Sequence, residues 1–269
     1  MLLLILLITY ANAYLMTDEL IKRSAAIQHP NLTFRYQDDI LIADWSQPSS
    51  KEKVLLVFNE HARERVTGEL GLKVLESIVE WNPSVSVTII PVLNVWGRKE
   101  VDLGNTCLRK NSRGVDTNRN YQQKPHHYLR SSEEYEGSHP ISEKESKLVA
   151  HELRSTTKYI NVHSGEYSLY MPYDNIDDTP PNAEKMRAEL KKWSKHCPQC
   201  AVGSAAVAST YKAYGTSVDW AITHGVAEAY TFEIYGKDTW DCERMFNPRE
   251  QELEHELEPW LEIIREALI

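Results

Sequence analysis

Val54-Leu55-Leu56-Val57-Phe58-Asn59-Glu60-His61-Ala62-Arg63-Glu64 is the stretch that decides how this chain folds. Five apolar residues, rich in the β-branched and aromatic types that suit a buried strand, run straight into a polar turn. Beyond the turn Leu70, Val74, Leu75, Ile78 and Val79 fall at helical spacing. In an open α/β sheet, ligand chemistry sits just past the carboxyl ends of strands, and His61 and Glu64 fall at that point. An imidazole and a carboxylate three residues apart can grip one divalent cation, and a mixed nitrogen and oxygen set suits zinc. His-x-x-Glu recurs at His163–Glu166 and His255–Glu258, so the spacing alone is not a site. A third ligand, a general base and a substrate anchor have to appear at other strand ends.

The 269 residues suffice for one large α/β domain with a sizeable core. A formal charge of -9 argues against nucleic acid, which needs a basic stripe, and against anionic membrane surfaces. Met1 to Ile8 is almost all Leu and Ile, and Ala11-Asn12-Ala13 has the small residues a signal peptidase accepts. Residues 1–13 therefore read as a secretory signal. The run is too short to span a bilayer, which takes ~20 apolar residues, so no transmembrane anchor is expected. Asn31-Leu32-Thr33 is a glycosylation sequon, usable on the secretory route. The expected destination is the secretory lumen, with an extracellular or a vacuolar or lysosomal end point. Cys107, Cys197, Cys200 and Cys242 fit an oxidising compartment and up to two disulfides. Cys197-Pro198-Gln199-Cys200 has no second Cys-x-x-Cys and no strand leading into it. It reads as a local disulfide or as partner to the other two cysteines, rather than as a redox motif or half a zinc knuckle.

Residues 14–50 form a lead-in packed on the domain, too short to stand as a separate domain of ordinary size. It has a helix over Asp18 to Ala26 and a strand over Leu41 to Trp45. Val85 to Leu93 reads as a second buried strand, with Pro91 marking an edge or bulge. Strand, helix, strand with such short connections implies a right-handed βαβ crossover. Cys107 to Tyr121 is a polar loop holding Arg109, Arg113 and Arg119 among three asparagines, the residue types of an anion clamp. Ser142-Glu143-Lys144-Glu145 is a capping box that opens a helix to about Arg154. Lys158 to Gly165 is a strand ending in His163, placed as His61 is. Leu169 to Tyr173, followed by Asp174, reads as a pocket wall. Asp174, Asp177 and Asp178 fit no EF-hand loop and read as an acidic turn. Ser209-Thr210-Tyr211-Lys212 lacks the companion motifs of a Ser-x-x-Lys hydrolase, and there is no Gly-x-Ser-x-Gly. Thr216 to His224 is a short helix. Ala229 to Gly236 is the last strong strand, and Glu233 interrupts it between Phe232 and Ile234. A carboxylate in that setting needs a partner or a raised pKa, which suits a general base in a partly dry cleft. Pro248 to Ile269 closes the chain as an amphipathic helix.

In order, these motifs are His-x-x-Glu, Arg-x-Asn, Gly-x-Asp-x-Asn-Arg-Asn, strand-His-Ser, Tyr-x-x-x-Gly and Thr-Phe-Glu. From about Val54 to Pro248 the chain resembles the zinc metallocarboxypeptidases of the pancreatic and regulatory type. It looks most like the plant and protist members with Val-His-Ser-Gly, Met-Pro-Tyr-Asp and Phe-Glu-Ile-Tyr-Gly. The resemblance implies an α/β/α sandwich around a mixed, mostly parallel sheet, with a catalytic domain over 51–269. It implies one zinc ion per chain, held by His61, Glu64 and His163. By the same resemblance Glu233 is the general base for the water that zinc holds, and Arg109 polarises the scissile carbonyl. Asn118 and Arg119 clamp the terminal carboxylate, Tyr211 closes over it, Arg63 is a secondary contact, and Asp116 orients the first zinc histidine. The implied reaction is hydrolysis of the last peptide bond, with peptide or protein C-termini as substrate and a monomer as the working form.

The resemblance points two ways on specificity. Val218 matches a side-chain pocket position and suggests an apolar last residue. Asp174 follows Met-Pro-Tyr, where regulatory members place an aspartate used for C-terminal Lys or Arg. The expectation leans to the apolar residue. About forty residues lie between the expected cleavage point and the first strand, so no inhibitory pro-domain of ordinary size is expected. A zinc amidase or deacylase of the same fold, acting on acylated amino acids or peptidoglycan fragments, is an alternative. A secreted peptide-binding protein without turnover is a further one, opposed by the full set of ligands and base.

Overall fold

The computed structural model describes residues 14–121, 128–209 and 211–269, so the expected signal over 1–13 lies outside the described residues. Eight strands form one sheet: β1 (Leu32–Gln37), β2 (Ile40–Trp45), β3 (Lys53–Phe58), β4 (Ser86–Ile90), β5 (Lys158–His163), β6 (Glu166–Met171), β7 (Ala201–Ser204) and β8 (Glu228–Tyr235). Their order is β1-β2-β4-β3-β5-β8-β6-β7. The four central strands β4, β3, β5 and β8 are parallel, so their carboxyl ends share one edge of the sheet. β2 and β6 join them antiparallel, β1 pairs antiparallel with β2 at the edge, and β7 runs parallel to β6. β3 is buried along almost its whole length, which is why it reads as an unbroken apolar run rather than an alternation.

Helices cover both faces. Numbered along the chain they are α1 (Thr17–Ala25), α2 (Arg65–Trp81), α3 (Val95–Asp102), α4 (Lys144–Leu153), α5 (Ala183–Trp193), α6 (Ala205–Ala208), α7 (Ser217–Thr223), α8 (Cys242–Phe246) and α9 (Leu253–Leu268). One layer is built by α1, α2, α3, α5 and α9, which touch one another in turn; α4 packs on α7 in the other layer. The core is anchored by Trp193, whose ring stands edge-on to Tyr230 at 4.8 Å and to Phe232 at 5.5 Å.

Three details differ from the sequence reading. The lead-in supplies two strands, not one: β1 pairs with β2 through a tight turn at Asp38, whose φ is 53°. Pro91 marks neither an edge nor a bulge, because β4 lies between β2 and β3 and ends at Ile90, one residue before the missing N–H would matter. The capping box does not form. α4 starts at Lys144, and the Ser142 Oγ accepts from Asn120 Nδ2 at 2.9 Å instead of from a helix N–H, while its proton goes to Glu143 Oε1 at 2.6 Å.

The fold presents its strand-end loop through Asn59. This residue is fully buried and adopts a left-handed φ of 51°. Its amide nitrogen donates to the carbonyls of His61 at 2.9 Å and Glu64 at 3.2 Å. Its Oδ1 accepts from Arg98 Nη1 at 3.1 Å, and Arg98 is in turn bound to Glu69 at 2.8 Å. A Cβ on Gly68 would meet Arg98 Nη1 at 2.9 Å, so the guanidinium reaches the loop only past a bare backbone. Asn59→Ala removes the amide's hydrogen bonds to the His61 and Glu64 carbonyls, which keep the Glu64 N–H and the Thr67 donors, and is expected to cost about 1–3 kcal/mol. Urea unfolding of the metal-free protein measures this; an unchanged midpoint contradicts the role given to Asn59.

Candidate metal centre

His61 lies in the loop after β3, Glu64 caps the start of α2, and His163 is the last residue of β5. β3 and β5 are parallel neighbours, so the two strand ends bring these residues together although about a hundred positions separate them. His61 Nδ1 stands 2.7 Å from Glu64 Oε1, His163 Nδ1 stands 3.0 Å from Glu64 Oε2, and the two Nδ1 atoms are 3.1 Å apart. All three side chains are buried, and one donor atom from each lies within 4.8 Å of the others. Two imidazole lone pairs and a carboxylate facing one another repel unless a positive charge sits between them. Without metal the site takes a proton: burial pulls His163 down, but Glu64 outweighs it and pushes His163 up to about 9. Burial pushes Glu64 up, but His61 and His163 outweigh it and hold the carboxyl far below its usual range. Two imidazoles and one carboxylate, buried and convergent, are the donor set that zinc takes.

The ring of His61 is oriented from behind. Its Nε2 meets Asp116 Oδ1 at 3.1 Å, which leaves the Nδ1 lone pair for the centre. Asp116 also accepts from Arg109 Nε at 2.7 Å. Burial raises Asp116, but Arg109 and then His61 overcome it, so the carboxyl stays ionised well below its usual value.

A cleft of about 310 Å³ opens in front of the centre. His61, Glu64, His163, Arg63, Arg109, Asn118, Arg119, Asp174, Tyr211 and Glu233 all line it. Val218 does not: it is buried in α7, inside the core. Glu233 is paired in register with His163 on the neighbouring strand, and its Oε2 is buried with no hydrogen-bond partner. Burial pushes its carboxyl up to about 8, with Glu64 and Glu166 adding to the rise and His163 and Arg109 opposing it. Asn118 sits in a 3-10 turn whose entry is capped by Asp116, and its Oδ1 accepts from the Ser217 N–H at 2.9 Å. Tyr211 stands at the rim, 59% exposed. The Arg63 guanidinium lies 4.2 Å over the Phe246 ring. A disulfide between Cys107 and Cys242 ties the Arg109 loop to α8 beside the cleft, and Cys197 pairs locally with Cys200.

The sequence reading missed some neighbours of this cleft. Glu134 Oε1 accepts from Arg119 Nη2 at 2.8 Å, and Glu133 accepts from Arg63 at 3.0 Å. Asp219 lies behind Asp174, its Oδ1 accepting the Asp174 N–H at 2.9 Å. An acidic loop and a helical aspartate carry no sequence signal of these long-range contacts.

The zinc carboxypeptidase family profile matches residues 25–262. The chain belongs to the zinc carboxypeptidase family. It is similar to human mast cell carboxypeptidase A, 30% identical over 169 residues that make up 55% of this chain and 40% of that one. It is similar also to bovine carboxypeptidase B, 28% identical over 250 residues, 81% of this chain and 59% of that one. It thus spans between 40% and 59% of the length of these two curated relatives. Among solved structures, bovine thrombin-activatable fibrinolysis inhibitor, in complex with tick carboxypeptidase inhibitor, superposes with a TM-score of 0.82 at 21% identity, covering 95% of this chain and 96% of that one. Carboxypeptidase A from Helicoverpa armigera superposes with a TM-score of 0.78 at 21% identity, covering 93% and 70%. At such identity these superpositions establish the fold.

Asp174 and Asp219 are a buried pair whose Oδ1 and Oδ2, respectively, make no close hydrogen bond. Burial pushes Asp174 up to about 6, and burial together with the Asp174 charge pushes Asp219 up to about 8. Both carboxyls are raised, so the folded state holds their protons more tightly than the unfolded chain does. Their contribution to stability is complete below the unfolded value and is lost as pH rises through the folded one. Asp219→Asn is therefore expected to gain stability relative to the wild type between pH 5 and 9. Urea midpoints of the metal-free proteins at both pH values test this, and parallel pH curves contradict it.

Proposed function

We propose that this protein is a metallocarboxypeptidase that removes the last residue from peptides and proteins, with a preference for C-terminal Lys or Arg. The observation that carries the reading is one cleft holding three unlike functions. It has a His61–Glu64–His163 centre, an unpartnered Glu233 carboxyl, and the Arg119 guanidinium deep in the wall. Zinc at the centre supplies a Lewis acid and brings the pKa of water down to about 7.

The chain's own residues do the rest. Glu233 takes a proton from the attacking water and delivers it to the leaving amine; a carboxyl pushed up to about 8 is matched to that exchange at neutral pH. Arg109 is braced through Nε by Asp116, and its Nη1 lies 3.9 Å from Glu64, so the fork is held at the edge of the centre. From there it stabilises the oxyanion that forms as water adds to the carbonyl. Asn118 and Arg119 bind the free carboxylate of the chain end, which internal peptide lacks. Tyr211, exposed at the rim, closes over the bound end, and Arg63 contacts the residues before it.

Asp174 supports the basic preference. It lines the cleft with a buried carboxylate oxygen that makes no close hydrogen bond, the Thr216 hydroxyl being its neighbour, and Asp219 adds a second carboxyl behind it. A lysine or arginine side chain supplies the missing donor and charge. Val218, the ground for an apolar preference, faces the core. Two disulfides and the apolar N-terminal run support a secretory location.

Two experiments test this. Glu233→Gln is expected to keep its zinc while turnover of a blocked dipeptide falls by at least ~10², the lower end for a general base; near-full activity refutes the mechanism. Removing one partner of a buried charge pair costs about 2–5 kcal/mol. On peptides differing only in the last residue, Asp174→Asn should therefore lower kcat/KM for C-terminal Lys relative to Leu by at least about tenfold. A wild type that prefers Leu, or a ratio that the substitution leaves unchanged, refutes the basic specificity.

A further inference from the structure

Glu60 has no part in the chemistry above, yet it lies fully buried directly before the first metal ligand. Its Oε2 accepts from Asn161 Nδ2 at 2.7 Å and stands 3.7 Å from His163 Nε2. Its Oε1 is buried and makes no close hydrogen bond, with the Tyr121 hydroxyl, itself unpaired, as the neighbouring donor. A buried carboxylate half-satisfied in this way is costly unless something uses it.

The ring of His163 defines what that use is. Its Nδ1 turns toward His61 and Glu64, so it presents its lone pair to the metal, and the ring proton belongs on Nε2. That N–H needs an acceptor. Asn118 Nδ2 is the nearer neighbour at 3.4 Å, but it can only donate. Its amide cannot be turned over, because Oδ1 already accepts the Ser217 N–H at 2.9 Å, and the flip would set two donors face to face there. Glu60 is the carboxylate in place. The separation of 3.7 Å is longer than a hydrogen bond and closes by a small rotation of the Glu60 side chain, whose other oxygen is held by no close hydrogen bond.

We propose that Glu60 is the positioning residue for His163: it accepts the Nε2 proton and holds the imidazole in the tautomer and orientation that bind zinc. The centre is then braced from two sides, with Asp116 behind His61 and Glu60 behind His163. Glu60 touches neither metal nor substrate and acts only through the ring. The inference rests on the reading of His163 as a zinc ligand.

The test is zinc affinity, measured by competition with a chromogenic chelator, on wild type and Glu60→Gln. Loss of such a partner weakens metal binding by about 10–100-fold, and that is the expected range. In proton–nitrogen correlation spectra of the zinc-loaded wild type, labelled at histidine, His163 should show a slowly exchanging, downfield Nε2 proton. Glu60→Gln should shift it or release it to exchange while the corresponding His61 signal, held by Asp116, stays in place. Affinity within about threefold of wild type with an unmoved His163 signal overturns the proposal. If Glu60→Gln does not fold, the wild-type spectrum decides: a His163 proton on Nδ1, or an Nε2 proton in free exchange with water, overturns it. Wild type that binds no zinc overturns the ligand reading beneath it as well.

Discussion

Two histidine nitrogens and a carboxylate, buried and held about 3 Å apart, do not stay together on their own merits. Like-signed lone pairs facing one another in a low-dielectric interior repel strongly. The rest of the fold holds them there. Parallel pairing of β3 with β5 sets the distance between the two histidines. Asn59, pinned by Arg98 and ultimately by Glu69, sets the course of the loop that carries His61 and Glu64. Asp116 turns one ring. Without metal a proton on His163 relieves that repulsion, and a dication can take the proton's place in a frame already set to meet it.

The cleft wall and the layer behind it hold carboxyls of two kinds. Glu64 and Asp116 are surrounded by imidazoles and guanidinium, which overcome burial and keep them ionised. Glu233, Asp174 and Asp219 have too little positive charge near them, and burial raises all three. Environment thus sorts chemically alike groups into fixed anions that orient other side chains and protonatable groups in or just behind the cleft wall. Unpaired buried carboxyls lower stability, so their concentration in one cleft points to function rather than to folding.

The strand ends were legible in the sequence because unbroken apolar runs stop abruptly at polar residues, at Phe58, at Val162 and around Glu233. The three residues of the candidate centre and the cleft carboxyl Glu233 were legible because few residue types bind zinc or exchange protons. Strand β1 was not: only Leu32 is buried along it, so an edge strand with one wet face looks like a polar loop. Ser142 offered a helix cap by type, but its oxygen accepts instead from Asn120, twenty-two positions earlier. Val218 and Asp174 gave opposite hints on specificity, and only packing reveals that one turns into the core and the other into the cleft. Glu60, Glu134 and Asp219 act through partners far along the chain or across the sheet, and spacing carries no trace of such contacts.

The central claim is that three side chains distant in sequence share one cation. Elemental analysis of purified wild type and His163→Ala, after dialysis against zinc and then against metal-free buffer, tests it most directly. The account predicts one zinc per chain in the wild type and almost none in His163→Ala. A wild type without zinc, or a His163→Ala that retains it, contradicts the account.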